Sequence, residues 1–268
     1  MSRRLLAGLL AAWLATTAAA APLRVASLAP SLSEIMLDLE AGDLLVGVLD
    51  GGERPAALRD VPSLGRYGHL DMERLLALRP DLILLWPGSV SPAQREQLTH
   101  FDIPVHVAEP HTLDELAGQF AAIGARIGRA ERGRERATRF AAGLAELRRR
   151  YRRETPLTVF YQVWNAPLYT VGGGQIISDA LRACGARNLF DDLSAPAPQV
   201  GLETVLARDP QVIVAGSHAE LDAWQAWPQL RAVRDGNLLA VPDKGLERPS
   251  FQMLEATRRL CERLASVR

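Results

Sequence analysis

Short apolar runs alternate with amphipathic stretches through most of this chain. Leu23–Leu28 and Leu44–Leu49 read as strands, and the helix between them has Ser31 and Ser33 as candidate caps, runs to about Leu39 and ends before Gly42. Met72–Leu78 predicts a helix stopped by Arg79-Pro80-Asp81; Leu82–Trp86 is apolar at every position, and Pro104–Val107 is a further short strand. After Pro156 the pattern resumes, with Leu157–Val163 as strand, Gly172–Gly174 as turn and Ile176–Ala183 as helix. Val212–Ala215 and Leu238–Val241 follow as strands, and a helix from about Pro249 to Ser266 closes the chain. Strands apolar on both faces, alternating with helices, predict parallel sheets covered by helices.

The middle of the chain breaks this rhythm. No proline occurs from Leu113 to Thr155, and Glu131 to Arg153 carries Phe140, Leu144 and Leu147 as a thin apolar stripe among arginines. Some 25 helical residues span about 37 Å, enough to cross between two lobes. Glu131, Glu135, Glu146 and Glu154 interrupt the positive run, which argues against a nucleic-acid helix. The two flanks also resemble each other: Met72–Leu84 aligns without a gap on Leu202–Val214, each opening a helix with a glutamate before a proline turn and a buried strand. The predicted fold class is therefore α/β, two Rossmann-like lobes with mostly parallel sheets joined by one long bridging α-helix. Its divisions are 1–21 as a leader, 22–128 as the N-terminal lobe, 129–155 as the bridging helix and 156–268 as the C-terminal lobe.

The first 21 residues stand apart from the fold. Arg3 and Arg4, the apolar Leu5–Leu14 and the small Ala18–Ala21 make a secretory signal peptide, too short for a comfortable membrane span. Across the full chain Lys plus Arg and Asp plus Glu tie at 31 each, and losing two arginines leaves 29 against 31, a net charge of −2. That balance gives no electrostatic ground for nucleic acid. Cys184 and Cys261, an even pair in an exported chain, read as one disulfide, with two buried free thiols as the alternative.

Catalytic chemistry is not supported. No G-x-S-x-G elbow or H-E-x-x-H occurs, and Gly172–Gly174 lacks the rest of a nucleotide-binding fingerprint. His106, Glu109 and His111 are spaced to meet a metal, but a strand-end and a loop histidine fit structural or solvated roles better, so no metal site is assigned. Tyr67, Trp86, Trp164 and Tyr169 fall at strand ends or in loops, where parallel α/β folds collect ligands. Together they suggest a cleft for a large, flat, partly apolar ligand.

Several segments carry a resemblance: Arg24–Ser31, Val46-Gly47-Val48, Glu73–Leu82, Pro198-Gln199-Val200 leading to Glu203, Glu247-Arg248 and Leu260-Cys261. Through nearly all of 23–266 the chain resembles the helical-backbone periplasmic binding proteins of iron-chelate and cobalamin ABC importers, and within them the cobalamin branch. The resemblance implies a soluble periplasmic carrier, monomeric when free, that binds cobalamin or a related corrinoid between its lobes without a cofactor and without catalysis. It implies a Cys184–Cys261 disulfide, and docking of Glu73 and Glu203 onto arginines of a permease in complex with its ATPase. Tyr67, Trp86 and Tyr169 match aromatic cleft residues, and Lys244, Gly245, Leu246, Glu247 and Arg248 match a ligand-contacting loop, with Arg248 donating to amide groups. Gly51, Ala197 and Gly245 stand where the cobalamin branch has aromatics, which leaves a roomier pocket for Trp164 to refill. A haem or ferric-siderophore carrier on the same scaffold is the alternative, with Tyr67 or His69 as the axial group for haem.

Overall fold

The computed structural model describes residues 21–241 and 243–267. The leader assigned to 1–21 lies outside them except for Ala21. The N-terminal half runs β1 (Val25–Ser27), α1 (Pro30–Asp38), β2 (Leu45–Asp50), β3 (Ser63–Arg66), β4 (His69–Leu70), α2 (Met72–Ala77), β5 (Leu82–Leu85), α3 (Pro92–Thr99) and β6 (Val105–Val107). These strands form one sheet in the order β4-β3-β2-β1-β5-β6, parallel except for the β3–β4 pair. Two helices follow, α4 (Leu113–Arg126) and α5 (Ala130–Arg150). The C-terminal half runs β7 (Leu157–Asn165), β8 (Leu168–Thr170), α6 (Ile176–Ala183), β9 (Ala186–Asn188), α7 (Leu202–Arg208), β10 (Val212–Ala215), α8 (His218–Asp222), α9 (Arg231–Arg234), β11 (Leu238–Ala240) and α10 (Gln252–Ala265). Its sheet has the order β11-β10-β7-β8, with β9 parallel to the first half of β7 and β8 antiparallel to the second.

The internal repeat is visible in the backbone. Arg79 and Asp209, at equivalent places before Pro80 and Pro210, both turn into the left-handed region, at φ +44° and +43°. Just after each turn a side chain ties the new strand to the first strand of its lobe. Asp81 Oδ2 accepts from Arg24 N at 2.8 Å, and Gln211 Oε1 accepts from Thr158 N at 3.0 Å. Glu73 and Glu203 end up exposed on the first turns of α2 and α7.

α5 connects the lobes. At its N-terminal end Arg132 pairs with Glu40 and Arg136 Nε donates to the Asp38 carbonyl at 2.9 Å, both beside the end of α1. Near its C-terminal end Arg148 pairs with Asp114 at 2.7 Å and lies 3.5 Å from Asp179 of α6. Its apolar stripe is the expected one, Phe140, Leu144 and Leu147. The helix is 21 residues, about 32 Å, and it ends at Arg150 rather than near Arg153. Its buried face is that stripe together with Gly133, where α4 packs along it. Gly124 and Gly133 make the crossing: a methyl on Gly133 would stand 2.6 Å from the Phe120 carbonyl oxygen and 3.1 Å from Gly124 Cα.

One continuous core runs through the junction. Phe120, Phe140 and Phe251 meet edge to face or tilted at 5.7–5.9 Å between centroids, joining α4, α5 and the start of α10. Arg136 and Arg139 stack over Phe251 at 5.1 and 5.7 Å. Cys184 and Cys261 are bonded, fastening the end of α6 to α10. Two lobes sharing packed side chains and a helical hairpin make a stiff junction, with little slack for a hinge.

Some local expectations fail for identifiable reasons. Ser31 and Ser33 do not cap α1: Pro30 takes the first helical position, and Ser33 Oγ is buried, donating to Ser27 Oγ at 2.9 Å and lying 3.2 Å from the Ala29 carbonyl. The last helix starts at Gln252 because Lys244–Glu247 forms its own 3-10 turn, capped by Asp243 Oδ1 accepting from Gly245 N at 2.8 Å.

Candidate functional site

The cleft between the lobes is built where the parallel strands end. Ser31 follows β1, Gly51 follows β2, Trp86 follows β5, Glu109–His111 follow β6, and Lys244–Arg248 follow β11. Loops beyond the carboxyl ends of parallel strands are free of ladder hydrogen bonds and so carry side chains into the crevice. A cleft open to solvent lies here, walled on one side by Ser31, Leu32, Ile35 and Trp86 and on the other by Gln175, Ile176, Pro196, Leu246 and Glu247. Its floor is the β6–α4 segment, where His111 Nδ1 lies 3.1 Å from the Gly174 carbonyl oxygen and so bridges the lobes. A second groove, about 1260 Å³, adjoins it through Glu247 and runs between Gly51–Ala56 and Asp243–Arg248.

Of the four predicted aromatics, Trp86 lines the cleft cavity and Tyr67, Trp164 and Tyr169 do not. Tyr67 and Trp86 meet edge to face at 5.5 Å, with Trp86 packed on the core and Tyr67 41% exposed. Partial burial, with the carboxylate of Glu109 adding to it, holds the Tyr67 phenol above its ordinary pKa. Trp164 and Tyr169 sit opposite each other in the β7–β8 hairpin. Trp164 is 57% exposed, its Nε1 donates to the Ala166 carbonyl at 3.1 Å, and it does not line the cleft cavity. His69 lies exposed in the β3–β4 hairpin and is likewise not part of the cavity wall.

Of the loop after β11, Lys244 and Glu247 are exposed, while Gly245 and Leu246 are buried against α10 and the cleft wall. Lys244 is the only lysine in the sequence. Arg248 is engaged across the cleft. Its Nη1 donates to Glu34 Oε1 at 2.6 Å and its Nη2 to the Gly51 carbonyl at 3.1 Å, so it ties the C-terminal lobe to α1 and the β2 loop. Gly51 itself has no room for a side chain in this backbone, because a methyl there would lie 2.7 Å from Pro30 Cγ. A ring at this position requires Pro30 or the loop to move.

His106 and His111 do not meet around a metal: His106 Nε2 is 3.0 Å from Gln119 Oε1, and burial lowers its pKa, favouring the neutral ring. Among the described residues no group of three His, Cys, Asp or Glu side chains converges. Sequence reasoning missed Glu34, Gln175 and the His111 bridge. Only Glu34 left a signal, as one of two acids in the otherwise uncharged α1.

These features are those of a two-lobed binding protein, and the chain belongs to the periplasmic binding protein family, which it matches over residues 25–257. It is 33% identical over 257 residues to the vitamin B12-binding protein of Yersinia pestis, covering 95% of this chain and 90% of the relative. With the vitamin B12-binding protein of Vibrio campbellii it shares 31% identity over 248 residues, 91% and 90% of the two chains. The crystal structure of the periplasmic vitamin B12 binding protein BtuF of Vibrio cholerae superposes with a TM-score of 0.83 at 32% identity, covering 90% of this chain and 96% of that one.

Proposed function

We propose that this protein captures cobalamin or a closely related corrinoid in the inter-lobe cleft and hands it to an ABC importer. The observation that carries the reading is the cleft itself, a cavity at the strand ends with Trp86 on one wall and Ile176, Pro196 and Leu246 among the residues facing it, in a chain similar over nine-tenths of its length to vitamin B12-binding proteins. The flat faces of Trp86 and Tyr67 suit a macrocycle, and Gln175, Ser31 and backbone groups of the Lys244–Glu247 turn suit its amide substituents. Trp164 and Tyr169 of the β7–β8 hairpin would serve as outer contacts. The lobes are 22–128 and 156–268, with 129–155 between them, and the leader at 1–21 exports the chain.

Glu73 and Glu203 serve a different purpose. Exposed at matched positions, one per lobe, they offer two carboxylates to guanidinium groups of a permease and so set its register on the carrier. Glu73→Ala with Glu203→Ala is expected to keep corrinoid binding and lose importer-dependent uptake. The ligand claim is tested by quenching of Trp86 fluorescence, measured in a background with Trp164, Trp224 and Trp227 replaced by Phe. Saturable quenching by cyanocobalamin supports it; no quenching at millimolar ligand removes it.

A further inference from the structure

A well-enclosed ion pair between the lobes belongs to Glu34. Its side chain is 13% exposed. Besides Arg248, it accepts from Ser250 Oγ at 2.8 Å and from Gln252 Nε2. The Arg248 guanidinium, whose other terminal nitrogen faces the Gly51 carbonyl, is thus neutralised at contact distance in the groove that adjoins the cleft. The surrounding charges lean the same way. The cleft cavity is lined by Glu109 and Glu247 and by no arginine or lysine. In the adjoining groove Arg54 is paired with Asp50, which leaves Lys244 as the one cation there without an ion-pair partner among the described residues. A carboxylate brought into this cleft meets like charge from Glu109 and Glu247, both exposed, so the repulsion weakens as salt rises.

We infer that Glu34, by occupying Arg248, sets the charge class of the ligand: the cleft admits a neutral or cationic, amide-bearing macrocycle and rejects carboxylate-bearing ones. The inference rests on the cleft being the corrinoid site. It makes Glu34 a specificity residue acting through Arg248, since removing its charge while keeping its shape would leave an unpaired guanidinium in the groove that opens onto the cleft.

The test uses two ligand pairs that differ in charge but little in shape: cyanocobalamin with its monocarboxylic acid, and haemin with its dimethyl ester. Each is titrated into wild type, Glu34→Gln and the double variant Glu34→Gln/Arg248→Gln, at low and high salt. The wild type is expected to favour the uncharged member, and Glu34→Gln to shift that preference towards the acid by about tenfold at low salt, less at high salt. The double variant is expected to show no such shift. If Glu34→Gln does not fold, Arg248→Gln alone replaces it, and the preference must then sharpen against the acid. Unchanged preference in a protein that binds corrinoids overturns the inference and leaves the functional reading standing. Charge selection that depends on Glu34 for the porphyrins, with no corrinoid bound, does the reverse. Binding of none of the four overturns both.

Discussion

The same substitution, glycine to alanine in the interior of a helix, is expected to act with opposite signs at two places in the α4–α5 hairpin. Gly118 in α4 is exposed, and a methyl there meets nothing within 4 Å. Gly118→Ala therefore keeps the whole helix-propensity gain, about 1 kcal/mol of added stability. Gly133 in α5 receives the same gain, but its methyl falls 2.6 Å from the Phe120 carbonyl oxygen, 3.1 Å from Gly124 Cα and 3.2 Å from Ala121 Cα. Those neighbours are backbone atoms of α4 and cannot rotate away, so the helices must separate by several tenths of an ångström along a packed face. Overpacking of this kind costs up to about 3 kcal/mol, which outweighs the propensity term and leaves a net loss near 2 kcal/mol. In urea unfolding of the oxidised, leader-free protein the two variants should differ by about 3 kcal/mol, with the wild type between them. In a thermal scan Gly133→Ala should melt about 4–8 °C below wild type and Gly118→Ala about 2–4 °C above it. Equal stabilisation by both would refute the close crossing, and with it the stiff junction that limits lobe movement.

Other perturbations test other parts of the molecule. Replacing Cys184 and Cys261 with serine opens a cross-link between residues 77 apart and should cost about 4.5 kcal/mol on the chain-entropy account, read from the urea midpoint; a loss under 1 kcal/mol would show that the packing of α6 on α10 does the work alone. Asp38 is pushed up to about 6, chiefly by burial and also by Glu34, against the Phe251 N–H and Arg136, which favour its charged form. The folded state then binds the extra proton, so this group's contribution to stability falls as pH rises from about 4 to about 6, by no more than about 3 kcal/mol. Wild type minus Asp38→Asn in urea unfolding should show that fall, and a flat difference would contradict the burial argument. Because Lys244 is the only lysine, an amine-acylating reagent reports on the ligand groove at a single side chain; bound cyanocobalamin should protect it, and labelling at an unchanged rate would place the ligand elsewhere.

Elements whose burial is decided locally were the most legible in sequence. Val212–Ala215 and Ile176–Ala183 appear with the bounds that their apolar pattern predicts, because a strand covered on both faces or a helix with one apolar face has a single way to hide. The β3–β4 hairpin was missed: it turns on Gly65 and Gly68 at φ +101° and +77°, within a run whose side chains carry no alternation. β8 and β9 were missed because they are three residues each and gain their identity only by pairing with β7. At the site, residue type and place point to Trp86 and to Leu246 and Glu247 of the loop after β11, which line the cavity, and equally to Tyr67, Trp164 and Tyr169, which do not. What those residues touch has no such signal, because contacts such as Arg248 with Glu34 join positions 214 residues apart and obey no local pattern. The motif around Arg248 points to a ligand donor; its ties to Glu34 and the Gly51 carbonyl are visible only in the fold.

The central claim is that the cleft binds a corrinoid, and calorimetric titration of the leader-free protein with cyanocobalamin, dicyanocobinamide and haemin in parallel tests it most directly. The account predicts saturable one-to-one binding of cyanocobalamin, with haemin much weaker, and dicyanocobinamide reporting whether the lower base is recognised. Heat from haemin or a ferric chelate with neither corrinoid bound would contradict it, leaving the two-lobed carrier but assigning its cleft to another ligand.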